Sequence, residues 1–428
     1  MPKPELNQLE PRPLRILVLN QYFPPDTAAT AMMAARIVQH LARRHRVTVI
    51  AGRPSYNPTD RHGLYLWRRE HLGSVTVLRV GSTACSRYRM RNRLANYLSY
   101  LVLAFLRALW VKADVIIAMT DPPIIGLVAA LVARFRRCPF VYNIRDLHPD
   151  MALASGLITP AWWVTLWERL HRWILKEAAC VIVLGEDMRR RVLSKGVTAD
   201  KIAVVRDGAE VSTLSPPPDH PIVRELRANF PFVVLHAGNL GHYGAWETVV
   251  KAVKLLEDEN LGVVFVGEGA ARERILTLAG GCPRIRFFPF RPVEEVPYVL
   301  AAGDIHLVTM RRGLDGLVVP SKFYGIVAAG RPVLAVVPRT SDIARIVEQS
   351  GCGIVVDPED PSSLAAVIRD LLHHPERVDE MARCARVIAP QFILDHHLER
   401  FVFLIEQIAR ATSHAQEVTP CGINGMFS

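Results

Sequence analysis

Short runs of consecutive apolar residues recur along the chain, and segments of helix length separate them. Strands that are apolar throughout, rather than at alternate positions, are typical of a parallel sheet covered on both faces. In the first half these runs are LRILVLN, VTVIAG, SVTVLRV, ADVIIAMT, PFVYNI and CVIVLG, and in the second half FVVLHAG, GVVFVGEG, IRFFPF, IHLVTM, RPVLAVV and GIVVD. The pattern predicts an α/β protein with two doubly wound, Rossmann-like parallel sheets.

The proline-rich stretch SPPPDHP, at 215–221, interrupts this pattern, because proline fits neither a helix interior nor a central strand. A chain of 428 residues also exceeds the roughly 250 to 300 residues that one hydrophobic core supports. We therefore predict an N-terminal domain over 1–214 and a second domain over 222–390. A helix over 391–412 would then cross back to the first domain, and 413–428 would form a loose tail.

The net charge of +11 is concentrated in the first half of the chain. Residues 1–210 contain 31 Lys and Arg against 16 Asp and Glu, whereas residues 211–428 contain 21 against 25. Such an excess of cations indicates a polyanionic partner, either nucleic acid or an anionic membrane surface. No RNA-binding or helix-turn-helix signature accompanies the basic residues, so the membrane is favoured and no nucleic-acid partner is expected.

A basic run, SRYRMRNR, leads into an apolar helix over 94–110. A helix that spans a membrane needs about 20 mostly apolar residues, and Arg107 interrupts this one. We predict a helix that lies in the membrane interface, with the preceding arginines near anionic lipid heads. The alternative is a buried core helix that follows a basic loop. The arginines of the run are Arg87, Arg89, Arg91 and Arg93.

The cysteines and the N-terminal residues together predict the cellular compartment of the protein. The seven cysteines are scattered singly with no C-x-x-C pair, which argues against a zinc site and a disulfide framework. No apolar stretch that could serve as a secretory signal precedes Ile16. No D-x-D lies at a strand end and the histidines are not spaced as metal ligands, so we expect no metal. The prediction is a cytoplasmic protein, peripheral at the inner face of the membrane.

Two glycine-bearing turns follow successive strands in the second half. HAGNLGHYG carries Gly238 and Gly241, and VGEG carries Gly267, Glu268 and Gly269. Glycine lets a ligand approach the backbone closely, and the N–H groups of such turns bind phosphate. A single glycine turn often serves only to reverse the chain, but two in succession favour a ligand site.

A third strand end carries Pro320, Ser321 and Lys322, immediately before a helix rich in small residues. A helix N-terminus attracts anions, Lys322 adds a full positive charge, and Ser321 offers a hydroxyl and a helix cap. The alternative is a solvated lysine beside an ordinary cap. We predict an anion site here.

Acidic residues follow strands of the first half. Asp146, His148 and Asp150 come after PFVYNI. A carboxylate or imidazole at a strand end can act as a base or bind an acceptor hydroxyl, and it can equally cap the next helix. We predict a functional role for Asp146 and leave both roles open for His148. Asp26, in PPDTAAT, faces the same cleft by topology, although a turn or N-cap aspartate is its more ordinary role.

In their order, these motifs resemble the GT-B glycosyltransferases of family 4. The segments GNLGHYGAWETVVKA, FVGEGAARERIL, IRFFPFRPVEEVPYVLAAGDIHLV and GLVVPSKFYGIVAAGRPVLA resemble the donor domain, and LNQYFPPDTAATAMMAARIVQHLA, RDLHPDMALASGLI and VIVLGEDMRRRVLSKGVTADKIAVVRDGAE resemble the first domain. The resemblance covers roughly residues 14–410. It is closest to the colanic-acid-type branch that builds bacterial surface polysaccharides.

The resemblance implies two domains that face a central cleft. The first would bind the acceptor, and the second a nucleotide diphosphate sugar, expected to be a UDP-sugar. The implied reaction is transfer to a lipid-linked or oligosaccharide acceptor, such as a sugar on a polyprenyl diphosphate, with retention of configuration and without metal or cofactor. A sugar-nucleotide 2-epimerase and an inactive scaffold with the same fold are the alternatives.

The resemblance also implies roles for individual residues. The first glycine turn would line the diphosphate, Glu268 would lie near the nucleoside, Phe290 and Arg291 would flank the base, and Ser321 and Lys322 would meet the phosphates. Catalytic roles would fall to Asp146, His148 and Lys322. The expected donor site comprises Gly238, Asn239, Leu240, Gly241, Gly267, Glu268, Gly269, Phe290, Arg291, Asp315, Gly316, Pro320, Ser321 and Lys322.

The sequence departs from the family pattern at the positions that usually hold the ribose and phosphates. Many members carry two glutamates there, at the positions of Leu317 and Gly325. Asp315 is the nearest carboxylate that could replace the first in touching donor hydroxyls. The usual Arg and Lys of the first glycine turn are Asn239 and Tyr243, so the diphosphate charge would depend mainly on Lys322 and backbone N–H groups.

Overall fold

The computed structural model describes residues 12–54, 65–83, 85, 90–210 and 216–417. Their strands form two sheets. The first contains β1 (Arg15–Leu19), β2 (Arg46–Ala51), β3 (Trp67–Leu72), β4 (Val75–Val80), β5 (Val115–Ala118), β6 (Phe140–Asn143), β7 (Cys180–Val183) and β8 (Ile202–Val204). The second contains β9 (Phe232–Ala237), β10 (Leu261–Val266), β11 (Ile285–Phe288), β12 (Ile305–Thr309), β13 (Val333–Val336) and β14 (Gly353–Val356).

Helices connect the strands and cover both faces of each sheet. In the first domain they are α1 (Ala29–Leu41), α2 (Met90–Ala108), α3 (Ile125–Arg136), α4 (Asp150–Ala154), α5 (Trp162–Glu177) and α6 (Glu186–Ser194). The second domain contains α7 (Pro221–Arg227), α8 (Trp246–Lys254), α9 (Arg272–Ala279), α10 (Val296–Ala302), α11 (Lys322–Ala328), α12 (Asp342–Ser350), α13 (Pro361–His373) and α14 (Pro375–Ile388). The chain then continues into α15 (Leu394–Glu417), and short 3₁₀ turns lie at Ala199–Lys201, Val293–Glu295 and Ala389–Phe392.

The second sheet has the strand order β11-β10-β9-β12-β13-β14, and every pair in it is parallel. All six of its strands were predicted from their apolar runs. The order reverses direction between β9 and β12, which is where ligands bind in doubly wound sheets, just beyond the carboxyl ends of the strands. The prediction of a doubly wound α/β fold is confirmed.

The first sheet has the order β3-β4-β2-β1-β5-β6-β7-β8 and is parallel except at one edge. There β3 pairs antiparallel with β4, and Gly73 in the turn between them has a φ of 57°. The apolar pattern missed both edge strands of this sheet. β8 is only three residues long, and the sequence of β3, WRREHL, is mostly polar with largely exposed residues. An edge strand with a solvated face does not need the continuous apolar run that identifies a buried strand.

The last helix, α15, packs on the first domain, although it follows the last strand of the second. Its residues Leu398, Phe401 and Ile405 share a core cluster with Ile16 and Val18 of β1. The predicted linker, 215–221, falls between the two sheets. The helix continues to Glu417, five residues past the predicted end, so the expected tail from 413 begins as helix.

The helix α2 is buried on one face only. Tyr100, Ala104 and Ala108 have no exposed surface and lie in the core of the first domain. The opposite face exposes apolar side chains, which are taken up below. In the described part of the chain, no helix combines the length and the hydropathy that crossing a bilayer requires.

Candidate active site

A cleft of about 1500 Å³ lies between the carboxyl ends of the two sheets, and both domains line it. This is the position that the reversal of strand order predicts for a ligand. Its volume is ample for a ligand larger than a typical drug molecule. Among the polar lining residues are Thr27, Arg36, Arg145, Asp146 and Asp207 of the first domain and Asn239, Tyr243, Arg291, Ser321, Lys322 and Arg386 of the second.

The two glycine turns form one hydrogen-bonded unit. The N–H of Gly238 donates to Val266 O at 2.9 Å, and the N–H of Leu240 donates to Glu268 O at 2.9 Å. Gly267 has a φ of 150°, and a Cβ there would lie 2.1 Å from Gly238 O. Gly267 is therefore required for the second turn to pack against the first, while Gly238 lines the cleft.

Lys322 enters the cleft beside Gly238 and contacts a buried histidine. Its Nζ lies 2.8 Å from Nε2 of His236, the penultimate residue of β9. Nδ1 of His236 donates to Leu307 O at 3.1 Å, which leaves Nε2 as the acceptor. Nζ lies 3.4 Å from the position that a Cβ on Gly238 would occupy. The ammonium group is thus held against the first glycine turn.

Burial determines the protonation of this pair. Burial, reinforced by the neighbouring charge of Lys322, holds the pKa of His236 well below its ordinary value, so the imidazole is neutral. Burial also lowers the pKa of Lys322 to about 7. No carboxylate of the described residues forms an ion pair with Lys322. A half-buried ammonium without a carboxylate partner favours the arrival of an anion.

Trp246 supports the same turn. Its indole Nε1 donates to Gly241 O at 2.7 Å, and its ring stands edge-on to His236 at 4.9 Å between centroids. The N–H of Ala245 donates to Oγ1 of Thr309 at 2.9 Å. Sequence reasoning missed both His236 and Trp246. The available signal was their position, since they directly flank the glycine turn that the motif identified.

Half of the predicted donor residues line the cleft, namely Gly238, Asn239, Gly241, Arg291, Pro320, Ser321 and Lys322. Leu240 is fully buried instead, and Gly267 and Gly269 have the positive φ values that the packing of the turns requires. Ser321 stands at the start of α11 but makes no side-chain cap hydrogen bond, because its own backbone is already helical, so the predicted cap is wrong. Its hydroxyl is left to the cleft.

Of the three residues predicted to contact the nucleoside and base, one lines the cleft and two do not. Arg291 lines the cleft and forms ion pairs with Glu225 and, at 3.6 Å, with Glu295. Phe290 is exposed and does not line the cleft. Glu268 pairs with Arg272 at 3.2 Å and also lies outside the lining.

Asp315 and Gly316 face the first domain rather than the donor side of the cleft. The carboxylate of Asp315 lies 3.6 Å from the guanidinium of Arg191 on α6. The N–H of Gly316 donates to Oδ2 of Asp187 at 3.1 Å, and the positive φ of Gly316 brings its backbone against that residue. This placement argues against the predicted role of Asp315 in touching donor hydroxyls. The two residues join the domains instead.

The acidic cluster after β6 is dispersed in the structure. Asp146 lines the cleft, and burial together with nearby Asp121 raises its pKa to about 7. His148 stacks on Trp167 at 5.7 Å between ring centroids, outside the cleft lining, and burial lowers its pKa to about 4. Asp150 binds Nζ of Lys195 at 2.5 Å. Only Asp146 keeps a position from which it can reach a substrate.

The four arginines that were predicted to lie near lipid heads also differ in their placement. Arg87 and Arg89 lie outside the described residues, and Arg91 is exposed. Arg93 instead turns inward: it donates to Tyr97 Oη at 3.3 Å, and its buried Nε has no hydrogen-bond partner among the described residues. Its charge acts on His148 and on Tyr243 of the second domain. This placement argues against the prediction that Arg93 meets lipid heads, because the side chain is half-buried beside Tyr97 and its charge acts on Tyr243.

The structure also describes the surroundings of Asp26 and the arrangement of residues that could bind a metal. Asp26 has no exposed surface and lies in a turn in which its N–H donates to Phe23 O at 3.2 Å, while the next residue, Thr27, lines the cleft. Within the ranges that the structure covers, no group of three or more His, Cys, Asp or Glu residues is arranged to hold a metal ion.

Comparison with known proteins identifies the two domains. Residues 29–208 match the family model described as "Glycosyl transferase 4-like domain", and residues 231–374 match "Glycosyl transferases group 1". The fold and the matched domains define a GT-B glycosyltransferase. The chain belongs to glycosyltransferase family 4.

Relatives and solved structures agree with this assignment. The chain is 28% identical over 265 residues to the probable glycosyltransferase WbjE of Pseudomonas aeruginosa, covering 61% of this chain and 66% of that one. It is 26% identical over 385 residues to the putative colanic acid biosynthesis glycosyl transferase WcaI of Escherichia coli K12, covering 85% and 93%. HepE of Anabaena, solved in complex with UDP-glucose, superimposes with a TM-score of 0.65 at 18% identity, over 94% of this chain and 100% of that one.

Proposed function

We propose that the second domain binds a nucleotide diphosphate sugar, with UDP as its nucleotide. The observation that carries this proposal is the position of the Lys322 ammonium, which lies beside the first glycine turn and pairs with a neutral histidine rather than a carboxylate. A diphosphate in the cleft would supply the missing negative charge and would accept hydrogen bonds from the N–H groups of the turn. HepE, which has the same fold, was solved with UDP-glucose.

The proposed reaction transfers the sugar with retention of configuration and without a metal. The bond between the anomeric carbon and the diphosphate breaks, and an acceptor hydroxyl forms the new bond on the same face while its proton passes to the departing phosphate oxygen. Lys322 and the N–H groups of the glycine turn would stabilise the charge that develops on the leaving diphosphate. Asp146, across the cleft, would accept a hydrogen bond from the acceptor hydroxyl and orient it.

The proposed acceptor is a sugar on a polyprenyl diphosphate or an oligosaccharide, used at the cytoplasmic face of an anionic membrane in polysaccharide biosynthesis. Two features support a lipid-linked acceptor. Arg93 brings a positive charge near Tyr243 of the cleft lining, and its buried Nε has no hydrogen-bond partner among the described residues. The helix that carries Arg93, α2, exposes apolar residues on its opposite face.

A transfer assay tests this function directly. The full chain is incubated with UDP-sugars, and separately with GDP-sugars, in the presence of a polyprenyl diphosphate sugar in detergent. We expect release of UDP that depends on the acceptor and is lost in Lys322→Ala. Turnover of free UDP-GlcNAc without acceptor would instead show a 2-epimerase. Failure to bind any nucleotide would show an inactive scaffold.

A further inference from the structure

Three helices of the first domain lie side by side on one face of its sheet. Helix α2 packs against α3, and α3 packs against α5. Their inner faces share a single core cluster with the sheet, while α1 and α15 cover the other face. A helix packed on a sheet exposes only the side turned away from it, so the outer sides of α2, α3 and α5 form one continuous surface. We call this surface the three-helix face.

The three-helix face is apolar along the whole length of α2. Four of its side chains recur every fourth residue, which places them in one stripe, and each is between 46% and 59% exposed. Buried residues of the same helix occupy the opposite stripe. The exposed stripe consists of Leu94, Leu98, Val102 and Leu106.

The neighbouring helices extend this apolar surface. Phe135 of α3 is 69% exposed, and Trp162, at the start of α5, is 80% exposed. Trp110, just after α2, is also 80% exposed. Leu131, Trp163 and Leu166 add further exposed apolar area. Single exposed apolar residues are normal on a protein surface, but a contiguous patch of this size marks an interaction site.

The charges of the same helices identify the kind of partner. Together α2, α3 and α5 carry eight Lys and Arg residues and two glutamates. Arg91, Arg134 and Arg169 are exposed. On the opposite face of the domain, Arg36 of α1 is paired instead, with Glu210 at 2.9 Å. An apolar surface with tryptophans at its edges and a surplus of cations matches the interface of an anionic bilayer.

We propose that the three-helix face docks on an anionic lipid bilayer, with its leucines, phenylalanine and tryptophans inserted among the headgroups. A second copy of the chain fits this surface poorly, because a contact between two such faces would bring their cationic residues together. The proposal does not depend on the identity of the donor. It deepens the proposed function, since docking would hold the first domain, which is proposed to bind the acceptor, at the membrane.

Vesicle binding of the full chain tests the proposal. Co-sedimentation is measured with phosphatidylcholine vesicles and with vesicles that also contain phosphatidylglycerol. The test variants are Leu98→Ser with Val102→Ser, and Phe135→Ser with Trp162→Ser. The matched control is Leu255→Ser with Val387→Ser, which removes equally exposed apolar side chains from the second domain. We expect binding to the anionic vesicles that weakens with salt and falls about tenfold or more in both test variants but not in the control.

Independent readouts keep the result interpretable. Thermal unfolding and calorimetric titration with UDP establish that each variant is folded and report separately on the donor site. Quenching of tryptophan fluorescence by brominated lipid should occur in the wild type and decrease in the Trp162 variant. Equal vesicle binding by wild type and both test variants would overturn the proposal. A concentration-dependent dimer that both test variants abolish, without lipid binding, would assign the face to a second copy and overturn it equally.

Discussion

Nζ of Lys322 lies 2.8 Å from Nε2 of His236, and the other nitrogen of that histidine donates to the backbone of Leu307. This chain of hydrogen bonds fixes the imidazole in one tautomer and presents a neutral acceptor to the lysine. The lysine therefore has a defined position but no compensating negative charge among the residues that the structure describes.

The affinity for UDP should fall as the pH rises above 7. The pKa of Lys322 in the free protein is about 7, and a bound diphosphate would raise it, so binding above that pH requires uptake of a proton. The decrease should approach about tenfold per pH unit. Calorimetry in buffers of different ionisation enthalpy measures the proton uptake directly. The variant Lys322→Met retains every other titrating group, and a pH dependence identical to that of the wild type would contradict the prediction.

The free protein should become more stable as the pH rises from 7 towards 10. The pKa of Lys322 is about 7 when folded, against about 10.4 in an unfolded chain. Between these values the unfolded chain binds more protons, so the free energy of unfolding increases with pH. Denaturant unfolding of wild type and Lys322→Met across this range checks the prediction. The rise attributable to Lys322 is the difference between the two curves, and parallel curves would refute it.

Substitution of His236 should show whether this histidine positions Lys322 or only packs against the glycine turn. His236→Leu removes the acceptor and should weaken UDP binding at neutral pH by about tenfold. Because the acceptor stabilises the ammonium, its loss should also lower the pKa of Lys322 and shift the pH dependence of binding to lower pH. His236→Gln keeps an acceptor oxygen and should recover part of both effects. If both variants lose affinity equally with an unchanged pH profile, His236 serves only the packing of the turn.

Asp146→Asn should lower kcat by about 10²-fold or more while the Kd for UDP stays unchanged. Asp146 lies on the first domain's side of the cleft, away from Lys322, and would orient the acceptor hydroxyl. Because its pKa is about 7, the rate should also rise with pH as the carboxyl ionises. Steady-state kinetics combined with UDP calorimetry checks both points. A variant with normal kcat would remove Asp146 from the mechanism.

Asp315→Asn is the matched control for Asp146→Asn, because it neutralises a carboxylate that lies outside the cleft lining. Asp315 contacts Arg191 rather than the cleft, so the variant should retain donor affinity and kcat within about threefold, as expected for a partly exposed ion pair. A modest change in stability is the expected effect, since the contact joins the two domains. Loss of donor binding in Asp315→Asn would restore the role that the sequence assigned to this residue.

The apolar pattern identified the inner strands of both sheets and missed the two edge strands of the first sheet, β3 and β8. Each strand of the second sheet is a continuous apolar run, whereas β3 has polar residues because it lies at an edge. The helix α2 buries one face in the core, as at Tyr100, and leaves the other exposed, as at Leu98. The periodicity of a helix shows that two faces differ, but it does not show what covers an apolar face.

The residues of the candidate site were also predicted only in part. The motif at 320–322 predicted the position of Lys322 in the cleft, because the carboxyl ends of parallel strands lie together. It did not predict His236, since a histidine within an apolar strand resembles any other core residue until its hydrogen bonds are known. Asp315 was selected for its proximity in sequence, and the positive φ of Gly316 turns that loop towards α6. Such a turn cannot be deduced from spacing alone.

Calorimetric titration of UDP into wild type, Lys322→Ala and the control Lys254→Ala tests whether Lys322 binds the diphosphate of the donor. Lys254 is an exposed lysine of the same domain, outside the cleft lining. We expect binding to the wild type, the same affinity in Lys254→Ala, and an affinity about 10- to 100-fold lower in Lys322→Ala, because a charge-assisted contact with the diphosphate is lost. Equal UDP affinity in all three proteins, or no binding to the wild type, would contradict it.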